Sequence, residues 1–233
     1  EETVELSKHN ILEDYSYNLI HGFEEKLKSI LQDTKFGGAD SVRVNMENFD
    51  IEIVSMSLDG LVPALISGNI DAAVSALTIT PERAARVDFT KPYYTAGLSM
   101  LVRKSDAQKY PDFKALENQR IAVQIGTTGA DTAKDIKGAK VAAFNTTSEA
   151  FMDLATGNSA AVVHDRPVLA YFLKTQAKSA GTMQLQPEIL DAQSYGFAVR
   201  KGNKELLEKL NKAYDELVAS GEVQKIHDKW FAQ

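Results

Sequence analysis

Two stretches of this chain carry the same pattern. Ala64 to Ala76 (ALISGNIDAAVSA) and Asp153 to Asp165 (DLATGNSAAVVHD) each join the end of a helix to a Gly-Asn stop and then to a strand of small residues. Glycine just past the last helical turn is a common terminator, because the left-handed backbone needed there costs it nothing. A repeated helix–stop–strand unit predicts two similar α/β halves, and no other feature of the sequence restricts the fold as much. The copies differ in the residues just beyond them. After the first come Thr78 and then Thr80-Pro81-Glu82-Arg83, where Thr80 suits an N-cap, Pro81 the first helical position and Glu82 the positive end of the dipole. The second ends in His164-Asp165, with Arg166-Pro167 starting another helix.

Equivalent strand ends thus deliver a cation in one half and an anion in the other. Open α/β sheets bind ligands beyond the carboxyl ends of their strands, so a zwitterion would satisfy both groups. Arg83, helped by the Thr78 hydroxyl and backbone N–H groups, would receive a carboxylate. Taken alone, Arg83 reads more simply as a surface residue paired with Glu82 or Asp88. The second strand end shifts that balance.

Composition narrows the class. A chain of 233 residues with 44% hydrophobic and 25% charged content is an ordinary globular protein, with room for one large domain or two smaller ones. A net charge of −6 argues against a nucleic-acid surface. No apolar run approaches the ~20 residues of a membrane span. The absence of cysteine excludes thiol catalysis, disulfides and Cys-based metal sites. No signal sequence is visible at Glu1-Glu2-Thr3, and a mature protein would lack one in any case.

Read in order, Thr3 to Ser7 suggests a short strand. Tyr17, Ile20, Phe23, Leu27, Ile30 and Leu31 make one helix face, and a loop runs from Phe36 to Ser41. Strand material from Val42 to Val54 is interrupted at Glu47-Asn48. A helix over Leu58 to Ser67 and a strand over Ile70 to Ser75 come next. Further strands are expected at Leu98–Arg103, Ile121–Ile125, Val141–Phe144, Met183–Leu185 and Tyr195–Arg200. Helices are expected at Ala130–Ile136, from a Thr146–Glu149 capping box to Gly157, and over Pro167–Lys174, Lys204–Ala219 and Glu222–Trp230. Strands alternate with helices almost throughout, so the class is α/β. The simplest arrangement has Leu98–Arg103 and Gln193–Arg200 crossing between two lobes. Residues 1–98 with 197–233 would form the first lobe, and residues 99–196 the second.

Several segments together resemble a known family. They are SMSLDGLVPALISGNIDAAVSALTITPERAARVDFTKPYY, IAVQIGTTG, AVVHDRPVLAYF, YGFAVRKGN and the final GEVQKIHDKWF. In this order they look like the amino-acid-binding proteins of bacterial ABC transporters, the family 3 solute-binding proteins, and most like their glutamine and arginine/lysine binders. The likeness runs from Asp50 to the C-terminus. It implies the type II periplasmic-binding-protein fold, two α/β lobes on a two-strand hinge that close on a ligand. By the same resemblance, Arg83 matches the residue that holds the α-carboxylate, with Thr78 beside it. Ala76 and Thr127 match positions lining the amino-acid site, and Asp165 matches the partner of the α-ammonium. Leu58, Gln124 and His164 match positions that select the side chain. The implied ligand is a polar free amino acid, glutamine or a basic one, with no cofactor. The implied partner is a membrane permease served by a monomer in the periplasm or lipid-anchored outside the cell.

Residues 1–49 depart from the family's pattern. They carry neither its Pro-Phe pair nor its Gly-Phe-Asp turn, and Leu58 stands where many relatives have a stacking aromatic. A divergent, grafted or engineered segment with altered or lost binding is one alternative, with Asn10, Tyr15 and Tyr17 as substitute contacts. A dehydratase acting on prephenate or arogenate is another, since the same fold hosts such enzymes and Asp165 would be the candidate acid. A sensor domain cut from a receptor is a third. Other sites read weakly. Gly126-Thr127-Thr128-Gly129 lacks the lysine of a phosphate-binding loop. His9, His21, His164 and His227 have no metal-ligand spacing. No serine lies in a nucleophile elbow. Trp230 reads as a packing anchor.

Overall fold

The computed structural model describes residues 42–45, 50–53, 56–176 and 181–231, with the backbone alone at 42–45, 50–53, 191 and 229–231. The strand expected at Thr3–Ser7, the helix at Tyr17–Leu31, the loop after it, Asn10, Tyr15 and the Trp230 side chain lie outside this description. The chain divides into two units, Glu1–Tyr94 with Ser194–Gln233, and Thr95–Gln193. It therefore passes between them twice. The sequence pattern places these passages near residues 98 and 197, a few residues later in each case.

In the first unit, β1 (Val42–Asn45) and β2 (Asp50–Ile53) pair antiparallel, with Val42 opposite Ile53. Helix α1 (Leu58–Ser67) stops at Gly68, whose φ of 80° is left-handed and whose N–H caps carbonyls of the last turn. The Arg200 side chain donates from Nε to the Leu65 carbonyl beside this stop. Strands β3 (Ala72–Ala73), β4 (Val87–Phe89) and β11 (Ala198–Arg200) form a three-stranded sheet with β11 in the middle, antiparallel to both neighbours. β3 is shorter than the expected Ile70–Ser75. The Ser75 carbonyl is taken by the Leu77 N–H in a tight turn and by the Tyr93 hydroxyl, which removes the segment from the ladder. Leu61, Leu65, Ile70, Leu77 and Val87 pack beneath this sheet.

Helix α6 (Lys204–Ala219) buries Leu206, Leu210, Ala213 and Leu217, one stripe at three- and four-residue spacing. Asn203 caps it, and Asn211 accepts from the Lys91 N–H just beyond β4. Helix α7 (Glu222–Phe231) follows. Among the described residues no helix is long and apolar enough to cross a membrane.

The second unit is built on a six-stranded sheet. Its strands are β5 (Tyr94–Arg103), β6 (Arg120–Gln124), β7 (Lys140–Phe144), β8 (Ala161–Asp165), β9 (Met183–Leu185) and β10 (Leu190–Tyr195). The order is β10-β5-β8-β6-β7, with β9 also on β5. β6 runs parallel to β7 and β8, while β5 is antiparallel to β8. Ile121, Val123, Val163, Met100 and Val102 are fully buried, as apolar strands packed on both faces require.

The expected strand Tyr195–Arg200 is in fact broken. β10 ends at Tyr195 in the large sheet, and β11 starts at Ala198 in the small one. Between them the Gly196 N–H donates to the Leu77 carbonyl, with Ile79 and Phe89 so close that an added Cβ would lie 3.0 Å from the Ile79 side chain. Tyr195 and Phe197 on either side are buried.

Helices α3 (Thr128–Asp135), α4 (Thr147–Ala155) and α5 (Arg166–Thr175) come after β6, β7 and β8 in turn. The Thr146–Glu149 capping box forms as its spacing predicts. Gly129, in the first turn of α3, allows that helix to lie directly on β8. A Cβ there would stand 2.9 Å from the Val163 carbonyl oxygen, which is backbone and has nowhere to go. Gly129→Ala is expected to destabilise the protein by about 1–3 kcal/mol, the usual cost of overpacking. The check is the midpoint of thermal unfolding, which should fall by several degrees; an unchanged midpoint would refute the close contact.

Candidate functional site

The repeated unit ends in polar and charged side chains in both halves. In the first unit, the chain leaves β3 through Ala76 and Thr78 and enters the short helix α2 (Pro81–Arg86). All three start signals are used. The Thr80 hydroxyl accepts from the Arg83 N–H, Pro81 takes the first position, and Glu82 lies in the first turn. Thr78 is buried and its backbone bridges to Tyr195. The half-buried Arg83 guanidinium donates from Nη1 to the Thr78 carbonyl at 2.7 Å, so these two expected residues do come together. Asp88, weighed as a surface partner for Arg83, is bound by Lys201 at 2.7 Å and by the Gly202 N–H. Those bonds to Lys201 and Gly202 hold its pKa below the ordinary aspartate value. Leu58, at the first position of α1, is half-buried and packs against the apolar core.

In the second unit, β6 and β8 are parallel neighbours, so Gln124 and Asp165 share one edge of the sheet, the carboxyl edge. The Thr127 hydroxyl donates to the Gln124 carbonyl and accepts from the Ala130 N–H, capping α3. Gly126, with φ of 79°, makes the turn between strand and cap.

Asp165 is 6% exposed, and its Oδ1 has no hydrogen-bond partner among the described residues. It occupies the N-cap position of α5 without capping it. His164 Nδ1 lies 3.9 Å from Oδ2, but this imidazole is no cation. Its Nδ1 accepts the Asp165 backbone N–H at 2.7 Å, and burial lowers its pKa against the opposing pull of the Asp165 charge. A buried carboxylate so placed is a costly group unless something positively charged completes it.

His164 itself is 4% exposed and uses both ring nitrogens inside the unit, with Nε2 at 3.2 Å from Gln124 Oε1. The parallel register of β6 on β8, with Ala122 opposite Val162, sets His164 across from Gln124 on the next strand. Thr147, at the start of α4, also bonds to Gln124 Oε1 at 2.8 Å. In the sequence, Thr146-Thr147 marks a helix start and nothing more. The signal that points to Thr147 is topological: β7 is the other parallel neighbour of β6, so the first residue of the helix after it reaches the same edge. Among the described residues no cluster of His, Asp or Glu could hold a metal ion.

The family model of the bacterial extracellular solute-binding proteins, family 3, matches residues 39–233. A curated relative from Escherichia coli, ABC transporter arginine-binding protein 1, is 35% identical over 182 residues, covering 76% of this chain and 72% of its own. Among solved structures, an ancestral arginine-binding protein bound to arginine superposes with a TM-score of 0.79 at 36% identity, over 94% of this chain and 88% of that one. An ancestral arginine-binding protein bound to glutamine gives 0.76 at 33% identity over the same shares.

Proposed function

Because the chain belongs to the bacterial extracellular solute-binding proteins, family 3, we propose that it captures a free polar L-amino acid, glutamine or a basic one, and passes it to the permease of an ABC importer. The observation that carries this reading is Asp165, a buried carboxylate at a strand end whose Oδ1 lacks a partner among the described residues. An α-ammonium group supplies the missing charge and donors. At the equivalent strand end of the other unit, Arg83 receives the α-carboxylate, with Thr78 fixing the guanidinium through its carbonyl. Thr127 and Ala76 line the backbone part of the ligand. Gln124 meets its side chain, and His164 acts through Gln124. The protein works outside the cytoplasm, as a monomer that binds and releases without chemistry.

A thermal-unfolding screen against the common L-amino acids tests the proposal. A ligand that binds only the folded state raises the midpoint by mass action, by about 2.7 kcal/mol of stability at a hundred times its Kd. The expected result is a clear rise with one or a few polar amino acids. A midpoint unmoved by all of them would overturn the reading.

A further inference from the structure

We propose that Gln124 selects ligands whose side chain ends in a hydrogen-bond acceptor, an amide carbonyl or a carboxylate, and disfavours a guanidinium. This rests on the reading of the strand ends as an amino-acid site. The selection begins at the backbone. The Asp165 N–H can only donate, and it lies 2.7 Å from His164 Nδ1, so that nitrogen carries no proton. A neutral imidazole with a bare Nδ1 has its hydrogen on Nε2. His164 is thereby a fixed donor, with the Gln124 amide 3.2 Å and the Thr147 hydroxyl oxygen 3.4 Å from its Nε2.

The amide must answer with its oxygen. Turning it over would set an NH2 group against a buried N–H, two donors face to face. Thr147 reinforces the choice by donating its hydroxyl to the same Oε1 at 2.8 Å. Both contacts therefore hold the carbonyl of Gln124 inward and present its NH2 group. One hydrogen of that group makes a long contact to the Asn145 carbonyl at 3.4 Å, and the other has no partner among the described residues. What the ligand meets at the end of β6 is a donor. A glutamine side chain offers it a carbonyl and a glutamate a carboxylate, whereas a guanidinium brings N–H groups alone. The chain's similarity to proteins named for arginine would suggest the opposite preference, so affinity for the two ligands separates the alternatives.

The experiment is calorimetric titration of the parent protein and of Gln124→Glu with L-glutamine, L-glutamate and L-arginine. It is joined to nitrogen NMR of the parent's His164 ring. The carboxylate introduced by Gln124→Glu would keep one oxygen for Thr147 and His164 and turn the other, now an acceptor, to the ligand. The parent is expected to bind glutamine at least about tenfold more tightly than arginine. Gln124→Glu should shift that ratio toward arginine by about tenfold or more, and the NMR signature should show hydrogen on Nε2 and none on Nδ1. Tighter binding of arginine by the parent, a ratio unchanged by the substitution, or hydrogen on Nδ1 would each overturn the selection while leaving the amino-acid site standing. Failure to bind any amino acid would overturn both.

Discussion

Arg83→Ala is expected to abolish amino-acid binding and leave the fold intact. The two halves of this expectation rest on different atoms of one residue. The guanidinium, held by the Thr78 carbonyl at 2.7 Å, supplies the charge and the planar fork that a carboxylate accepts. The backbone N–H of the same residue closes the Thr80 cap of α2, and alanine keeps it. Removing one partner of a desolvated charge pair costs roughly 2–5 kcal/mol, which is ~30-fold to several-thousand-fold in Kd. Calorimetric titration with the amino acid found in the thermal screen measures it, and an unfolding midpoint close to the parent's shows the fold is kept. Affinity within about threefold of the parent would remove Arg83 from the site. Lysine here should restore part of the loss, having the charge without the fork.

The second large effect belongs to Asp165→Asn, and it should move binding and stability in opposite directions. The ligand loses the charge that pairs with its ammonium, so affinity should fall by a similar roughly 2–5 kcal/mol. The empty protein loses a buried carboxylate that has no cationic partner among the described residues, because the imidazole beside it is neutral. Its unfolding midpoint should therefore rise, by roughly 2–4 °C for each kcal/mol relieved in a chain of this size. A lower midpoint in the variant would show that the carboxylate is already satisfied. The same residue separates a binder from a dehydratase. An enzyme would turn over prephenate or arogenate and lose its rate constant in Asp165→Asn more than its substrate affinity. No phenylpyruvate or phenylalanine should form with the parent, and measurable product lost in the variant would overturn the binding reading.

How much of this is written in the sequence depends on how local each signal is. The stop at Gly68, the cap at Thr80, the capping box at Thr146 and the helix from Leu58 to Ser67 each depend on a few adjacent residues, and each appears as expected. Strand ends are less legible. Ser75 looks like strand material but spends its carbonyl on a turn and on Tyr93, a partner 18 residues away. The run Tyr195–Arg200 has uninterrupted strand character, yet Gly196 lies so close to Ile79 and Phe89 that the chain changes sheets there. The site divides in the same way. Charge at the repeated strand ends points to Arg83 and Asp165. Thr147 is invisible as a site residue, because its relation to Gln124 passes through the pairing of β6 with β7 rather than through spacing. The role of His164 is equally hidden, since it depends on a proton position fixed by the backbone N–H of its neighbour.

The placement of β11 also dictates an order of assembly. Among the described strands, β3 and β4 are joined in their sheet through that strand alone, which is contributed by residues 198–200. During synthesis, all of Thr95–Gln193 emerges while β3 and β4 still lack the partner that joins them. The second unit is contiguous and can complete its sheet from nearby chain, apart from the last residues of β10. The first must wait for the chain to return, and then close a loop of more than a hundred residues in a single step. Until then Ile70, Leu77 and Val87 have an unfinished sheet above them. The half that carries Arg83 is thus the late and aggregation-exposed half of the molecule.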